Sequence, residues 1–378
     1  MRKVLTVLLL LACAACSRET IGFQEQRLSC KAPSFLSPGD RVAILSPSYS
    51  TPAENIDSAA AIIRSWGFEP VIGPNVGKVY RGKYAGTPAE RAEDLRWALG
   101  DPSIKAIICS RGGYGTIRLL DQMTPEDFSA HPKWLVGYSD ITTLTEMETR
   151  SGVISIHGAM GCSLLKYCGA DLSSTLMRDI LMGIIPEYTL DPHPENIPGT
   201  AEGILVGGNL CTFSPILGTW ADATAGEDFI LFIEEVEENM SHIDRLMNTL
   251  ILNGVFDRCK GVILGEFTDC EANLDFDSVE QMLRSYLDGA GIPVCCGFPA
   301  GHDDVNLPLL MGARTTLSVT DEISRISFHV GGTPVEVHAS ATDSLLSSRP
   351  LMEDEPEMKV SRLERMYNFA KYYDGVHR

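Results

Sequence analysis

The segment Leu135-Val136-Gly137-Tyr138-Ser139-Asp140-Ile141-Thr142 decides how the rest of the chain is read. A buried strand ends at a glycine, and a helix starts at once after Ser139. A strand that turns directly into a helix is the joint of a parallel α/β unit. A serine on that turn holds its hydroxyl out beyond the strand, the geometry of a nucleophile elbow. The first amides of the following helix suit a developing oxyanion. The glycine usual two residues after such a serine is replaced by Ile141. Ser139 or Asp140 would serve equally as a plain N-cap, so this segment alone leaves both readings open.

Outward from it the alternation continues. Arg41 to Ser46 reads as a buried strand, Ala53 to Trp66 as a helix stopped by Gly67, and Glu69 to Ile72 as a strand. Thr87-Pro88 opens a helix to Leu99, and Lys105 to Cys109 is a third strand. This gives an N-terminal parallel α/β domain over 37–170. Prolines at 186, 192, 194 and 198 suggest a linker over 171–200. Residues 201–342 carry strand candidates at 203–206, 229–233, 260–266, 292–295, 314–319 and 325–330. Helices at about 240–252 and 276–288 interrupt them, giving a smaller mixed α/β C-terminal domain. The tail, 343–378, is charged, with an amphipathic helix expected from Val360 to Tyr373.

The chain of 378 residues is long enough for two domains of about 150 residues each. Its 44% hydrophobic and 21% charged content is that of a globular protein, not a disordered one. A net charge of −19 argues against nucleic acid as a partner, although a local basic pocket could still take a small anion. No apolar run reaches the roughly 18 residues that a spanning helix needs. The N-terminus has another texture. Arg2 and Lys3 precede a short apolar stretch, Val4 to Ala12, and then Cys13 and Cys16. This resembles a bacterial lipoprotein signal: a signal peptide over 1–15, lipidation at Cys16 (Cys13 as the alternative) and a tether over 16–36. The expectation is an exported, membrane-anchored lipoprotein on the periplasmic or outer face. An ordinary signal peptide without lipid is the other reading.

The nine remaining cysteines show no CxxC pair, hence neither zinc spacing nor a disulfide framework. No histidine pair has metal-ligand spacing, which argues against a zinc peptidase; no metal and no cofactor are expected. The loop Cys109-Ser110-Arg111-Gly112-Gly113-Tyr114-Gly115-Thr116 follows a strand and lacks the P-loop lysine. Its glycines let backbone N–H groups approach a ligand. A hydrolytic serine needs a base and an orienting acid. His302 lies in the small-residue loop Gly297 to Asp304, and Glu234 ends the apolar strand Phe229 to Ile233. Taken singly, a loop histidine and a solvated glutamate are the plainer readings of both.

In their order these segments resemble the LD-carboxypeptidase family of serine peptidases, the S66 type, which includes microcin C immunity peptidases. The resemblance rests on Ala43-Ile44-Leu45-Ser46-Pro47-Ser48, Ser110 to Gly115, Gly137-Tyr138-Ser139-Asp140 and Gly207-Gly208-Asn209-Leu210. It continues through Ile230-Leu231-Phe232-Ile233-Glu234, Gly301-His302, Leu307-Pro308-Leu309 and Gly312-Ala313. The match runs over about 36–335. It implies two α/β domains with the active site between them, often as a homodimer. It also implies a catalytic triad of Ser139, Glu234 and His302. The activity implied is release of a terminal D-amino acid, D-Ala, from a murein peptide across an L-D amide bond. Backbone N–H groups of Asp140 and of Gly112 or Gly113 would form the oxyanion hole, and Arg111 would support the substrate's carboxylate. Two alternatives are an immunity peptidase cleaving an aminoacyl-sulfamoyl adenylate and a non-catalytic murein-peptide-binding lipoprotein. The first would want an aromatic platform, for which the segment Gly208 to Glu234 offers only Phe213, Trp220, Phe229 and Phe232.

Overall fold

A computed structural model describes residues 29–340, apart from 227 and 272–274. The signal segment with Cys13 and Cys16, and the tail with its expected helix, lie outside the described residues. Two sheets organise the rest. The first has the order β11-β5-β4-β3-β1-β2. It is built from β1 (Arg41–Leu45), β2 (Glu69–Ile72), β3 (Ile104–Cys109), β4 (Trp134–Gly137), β5 (Ser155–His157) and β11 (Leu309–Met311). All neighbours are parallel except β11, which runs antiparallel to β5. Val42 to Leu45 and Ala106 to Cys109 are fully buried, as strands covered on both faces must be.

The second sheet has eight strands in the order β10-β9-β8-β7-β12-β13-β6-β14. These are β6 (Ile184–Leu190), β7 (Gly199–Asn209), β8 (Phe229–Val236), β9 (Cys259–Thr268) and β10 (Val294–Cys295), with β12 (Arg314–Val319), β13 (Ser324–Phe328) and β14 (Thr333–His338). β7 to β10 are mutually parallel. Six longer helices flank the sheets: α1 (Ala53–Ser65), α2 (Pro88–Gly100), α3 (Thr142–Arg150), α4 (Leu172–Leu181), α5 (Met240–Leu252) and α6 (Val279–Leu287). Their starts follow local chemistry. Thr87 and Glu90 form a capping box with Pro88 at the first turn, and Asp171, Asn239 and Ser278 cap α4, α5 and α6. One apolar cluster joins Ile44, Ile108 and Val136 of the first sheet to Leu205, Ile230 and Phe232 of the second.

Two expectations are corrected. Residues 171–200 are not a linker: they form α4 and β6, and only 191–198 are irregular. Pro186 lies inside β6 between β13 and β14, so proline frequency misled where local apolar residues (Ile185, Tyr188, Leu190) bury. Nor are residues 30–36 a free tether. Phe35 stacks on Trp134 at 5.7 Å, the Trp134 indole N–H donates to the Ser34 carbonyl at 3.1 Å, and Leu36 is buried. A polar composition hid two apolar anchors, Phe35 and Leu36.

Candidate active site

Strand order in the first sheet reverses at β1, which lies between β2 and β3. Ligands of open α/β sheets bind beyond the carboxyl ends of the strands at such a switch point. The loops after β1, β3 and β4 meet there and are tied by buried hydroxyls. Ser110 Oγ lies 2.7 Å from Ser46 Oγ and 2.8 Å from Thr51 Oγ1. The Asp140 carboxylate accepts from Ser48 Oγ at 2.6 Å and from the Thr116 N–H at 3.0 Å. Arg91, also buried, donates to the Pro47 and Gly115 carbonyls at 2.5 and 3.0 Å. Burial holds its guanidinium below the usual range, and Asp140 acts against that fall.

Ser139 stands on this frame with φ of 62°. That left-handed conformation costs a non-glycine residue about 1–3 kcal/mol and persists only where the surroundings over-determine it. The turn Ser139–Ile141 leads directly into α3. Gly137 is required here, because a Cβ on it would lie 2.7–2.9 Å from the Ile141 side chain. Ile141 therefore fills space over Gly137, which explains why no glycine is needed at 141. Gly112 faces Ser139 closely: a Cβ there would come within 3.1 Å of the hydroxyl. The backbone N–H groups of Gly112, Gly113 and Asp140 bond to no acceptor among the described residues. They are free to serve an oxyanion. Arg111 sits in the same loop, its guanidinium 5.9 Å from the Tyr49 ring centre.

The second sheet presents its carboxyl ends to α3. The Gly207 N–H donates to Glu146 at 2.9 Å and the Asn209 N–H to Thr142 Oγ1 at 3.1 Å. Gly208 has φ of 137° and no room for a side chain against Thr142. Next to Asn209, β8 carries Glu234 at a register shift between Ile233 and Glu235. Such an irregularity re-aims side chains. Glu234 turns to His302, whose Nδ1 lies 2.8 Å from Oε2. Glu235 turns to Asn209 Nδ2 and the Cys211 N–H at 2.7 and 2.8 Å. Glu234 is fully buried and the His302 side chain is 17% exposed. Burial alone would lower the His302 pKa, but the Glu234 carboxylate and its hydrogen bond, helped by Glu235 and Glu237, raise it above 6.5. Its Nε2 has no partner among the described residues.

Tyr138, the residue before the serine, packs edge-on against the His302 ring at 5.1 Å. The Ser139 turn of one sheet and the His302 loop of the other thus meet. Sequence reasoning missed the support behind them. His157 at the end of β5 lies 3.2 Å from Asn306 Oδ1, which also accepts from the Gly301 N–H at 3.2 Å. Burial pushes the His157 pKa down to about 4, so it works as a neutral ring. Nothing in local sequence separates it from other histidines, since its partner is 149 residues away. Apart from this site, Cys211, Glu238 and His242 place ligand atoms within 4.8 Å of one another and could hold a metal ion. Their spacing hides this, because the chain returns to Cys211 through β8. The nine described cysteines are free thiols.

Residues 42–158 match the model of the LD-carboxypeptidase N-terminal domain, and residues 202–317 that of the LD-carboxypeptidase C-terminal domain. A Synechocystis protein whose name assigns it as a carboxypeptidase is 37% identical over 291 residues, 75% of this chain and 93% of that protein. The murein tetrapeptide carboxypeptidase of Pseudomonas aeruginosa is 30% identical over 280 residues, 70% of this chain and 89% of that one. The crystal structure of muramoyltetrapeptide carboxypeptidase from Oxalobacter formigenes superposes with a TM-score of 0.68 at 25% identity. It covers 78% of this chain and 100% of that one.

Proposed function

The chain belongs to the LD-carboxypeptidase family, and from that premise we propose how its own residues carry out the reaction. The protein is an LD-carboxypeptidase that hydrolyses the L-D amide bond of murein tetrapeptides and releases the terminal D-Ala. The observation that carries the mechanism is the buried Glu234–His302 pair at 2.8 Å, packed through Tyr138 against the Ser139 turn. Ser139 Oγ attacks the carbonyl carbon while its proton passes to His302 Nε2. Glu234 holds the Nδ1 proton and stabilises the imidazolium. The N–H groups of Asp140 and of Gly112 or Gly113 receive the oxyanion; losing one such donor typically costs about 100- to 1000-fold. The amide C–N bond then breaks, and His302 returns its proton to the D-Ala nitrogen. Water, deprotonated by His302, cleaves the acyl-enzyme and restores Ser139. Arg111 supports the free carboxylate of the departing residue, as an exopeptidase requires.

The segment 208–234 offers no aromatic platform of the kind that an adenylate-cleaving peptidase would want. Phe213, Phe229 and Phe232 are core residues, and the Trp220 indole donates to the Leu120 carbonyl at 2.8 Å. The test is release of D-Ala from a tetrapeptide by the purified protein. Ser139→Ala and His302→Ala should abolish most of it with melting temperature unchanged; wild-type rates in Ser139→Ala would refute the mechanism. An L-Ala diastereomer cut as fast as the D-Ala peptide would refute the specificity. For location, we propose that the mature chain starts at Cys16, lipid-anchored after export, with Cys13 as the alternative. Labelled palmitate entering wild type but not Cys16→Ala tests this. The working unit proposed is a homodimer, which sedimentation reads directly.

A further inference from the structure

Beyond the glycine-rich loop lies a group of charges that the serine mechanism leaves unused. Gly112 abuts Ser139, and a Cβ on Gly113 would lie 2.4 Å from the Tyr49 ring. From Tyr49 an aromatic strip runs outward. Tyr84 meets it edge-on at 5.8 Å, and Tyr114, 45% exposed, lies 6.4 Å beyond Tyr84. Cations lie over these rings. Lys83 Nζ is 5.5 Å from the Tyr49 centre and 5.3 Å from that of Tyr84. Arg111 covers Tyr49, and Arg118 is 5.7 and 5.9 Å from the centres of Tyr84 and Tyr114. Lys83, Arg111 and Arg118 form no ion pair with a carboxylate of the described residues. Nearby Lys78, by contrast, is paired with Glu90 at 2.7 Å.

With the buried Arg91, 5.8 Å from the Tyr84 centre, four cations without an ion pair among the described residues gather here in a chain of net charge −19. Their mutual repulsion is offset only in part by the ring faces. A flat guanidinium on a ring keeps its N–H edges available, and those edges match carboxylates. The scissile residue brings a single carboxylate, which leaves more positive charge than it can use. We propose that Lys83 and Arg118, on the Tyr49–Tyr84–Tyr114 strip, bind the substrate's non-terminal carboxylates. The enzyme thereby selects stem peptides whose carboxylates are free over stems in which they are amidated. This rests on the LD-carboxypeptidase reading above.

The test uses two tetrapeptides ending in D-Ala, one with its non-terminal carboxylates free and one with them amidated. Wild type should prefer the free peptide by about tenfold in kcat/KM, and added salt should shrink that preference. Lys83→Gln and Arg118→Gln should each reduce it about threefold, the loss falling on KM, and the double variant should bring it near unity. Equal rates on both peptides in wild type, or a preference that survives the double variant, would overturn the proposal while leaving the carboxypeptidase intact. If neither peptide released D-Ala, the chemistry would fall instead. Calorimetric binding of both peptides to Ser139→Ala would then decide the strip alone. Tighter binding of the free form, lost in Lys83→Gln, upholds it; equal binding, or none, overturns it.

Discussion

At Ser139 the chain stores backbone strain, and at His302 it stores a charge balance; both have measurable signatures. As the proposed base, His302 must be neutral to accept the serine proton, and its folded pKa is raised from the ordinary 6.5. The rate should therefore rise with pH through a midpoint above 6.5, the protonated ring below it being inert. Burial pulls that pKa down and Glu234 pulls it up, so Glu234→Gln should move the midpoint lower in a pH–rate profile. The same change should cost about 10⁴ in kcat, as expected when the imidazole loses its orienting carboxylate. Gly112→Ala tests the other wall. Its Cβ would press on Ser139 Cβ and Oγ at 3.0 and 3.1 Å. A nucleophile pushed by a fraction of an ångström should lose about 100-fold in kcat with its melting temperature little changed. The proposed triad of Ser139, Glu234 and His302 can be picked out of the sequence because each residue sits at a strand end or in a small-residue loop. The Asp140 side chain cannot, because its Ser48 partner is 92 residues away and no local pattern encodes that distance.

At the scale of elements, strands β1, β3, β8 and β12 read well because unbroken or alternating apolar residues bury in them. Strands β5 and β11, three residues each, fall below what a pattern can resolve. In β14 only Val335 and Val337 alternate, both half-buried, too short a signal to mark a strand. Helix α3 holds a different surprise: Glu146 and Glu148 lie buried inside it. Burial pushes the Glu146 carboxyl up from its ordinary 4.5 to about 8, against the pull of the Gly207 N–H bond. In the folded chain Glu146 keeps its proton over this window; unfolded, it loses it. The folded state thus binds more protons, and its stability falls as pH rises from about 4.5 to about 8, by up to about 1.4 kcal/mol per pH unit. Glu146→Gln keeps an acceptor for Gly207 and removes the titration. Its melting temperature should exceed that of wild type at pH 8 and vary less between pH 5 and 8. A steeper dependence in the variant would contradict the assignment.

For the whole molecule, the two-part α/β plan is legible in the alternation of strands and helices. The threading between the parts is not. The chain completes β1 to β5, builds β6 to β10 in the other sheet, returns to place β11 beside β5, and leaves again for β12 to β14. Leu309-Leu310-Met311 pairs with residues 155–157, and its side chains belong to the core shared by both sheets. A fragment ending at residue 200 should thus expose the β5 edge and an uncovered apolar face. It should aggregate rather than melt cooperatively, which light scattering and calorimetry would detect.

The return of β11 also bears on ancestry and synthesis. Five of the second sheet's eight strands are translated before the strand that finishes the first sheet. The sheet that carries Ser139 is therefore completed late, when the strands before Glu234 and His302 have already been made. Recombination that exchanged either half alone would hand one parent's sheet an edge strand shaped by the other. Such chimaeras should be eliminated, which favours inheritance of the two halves together.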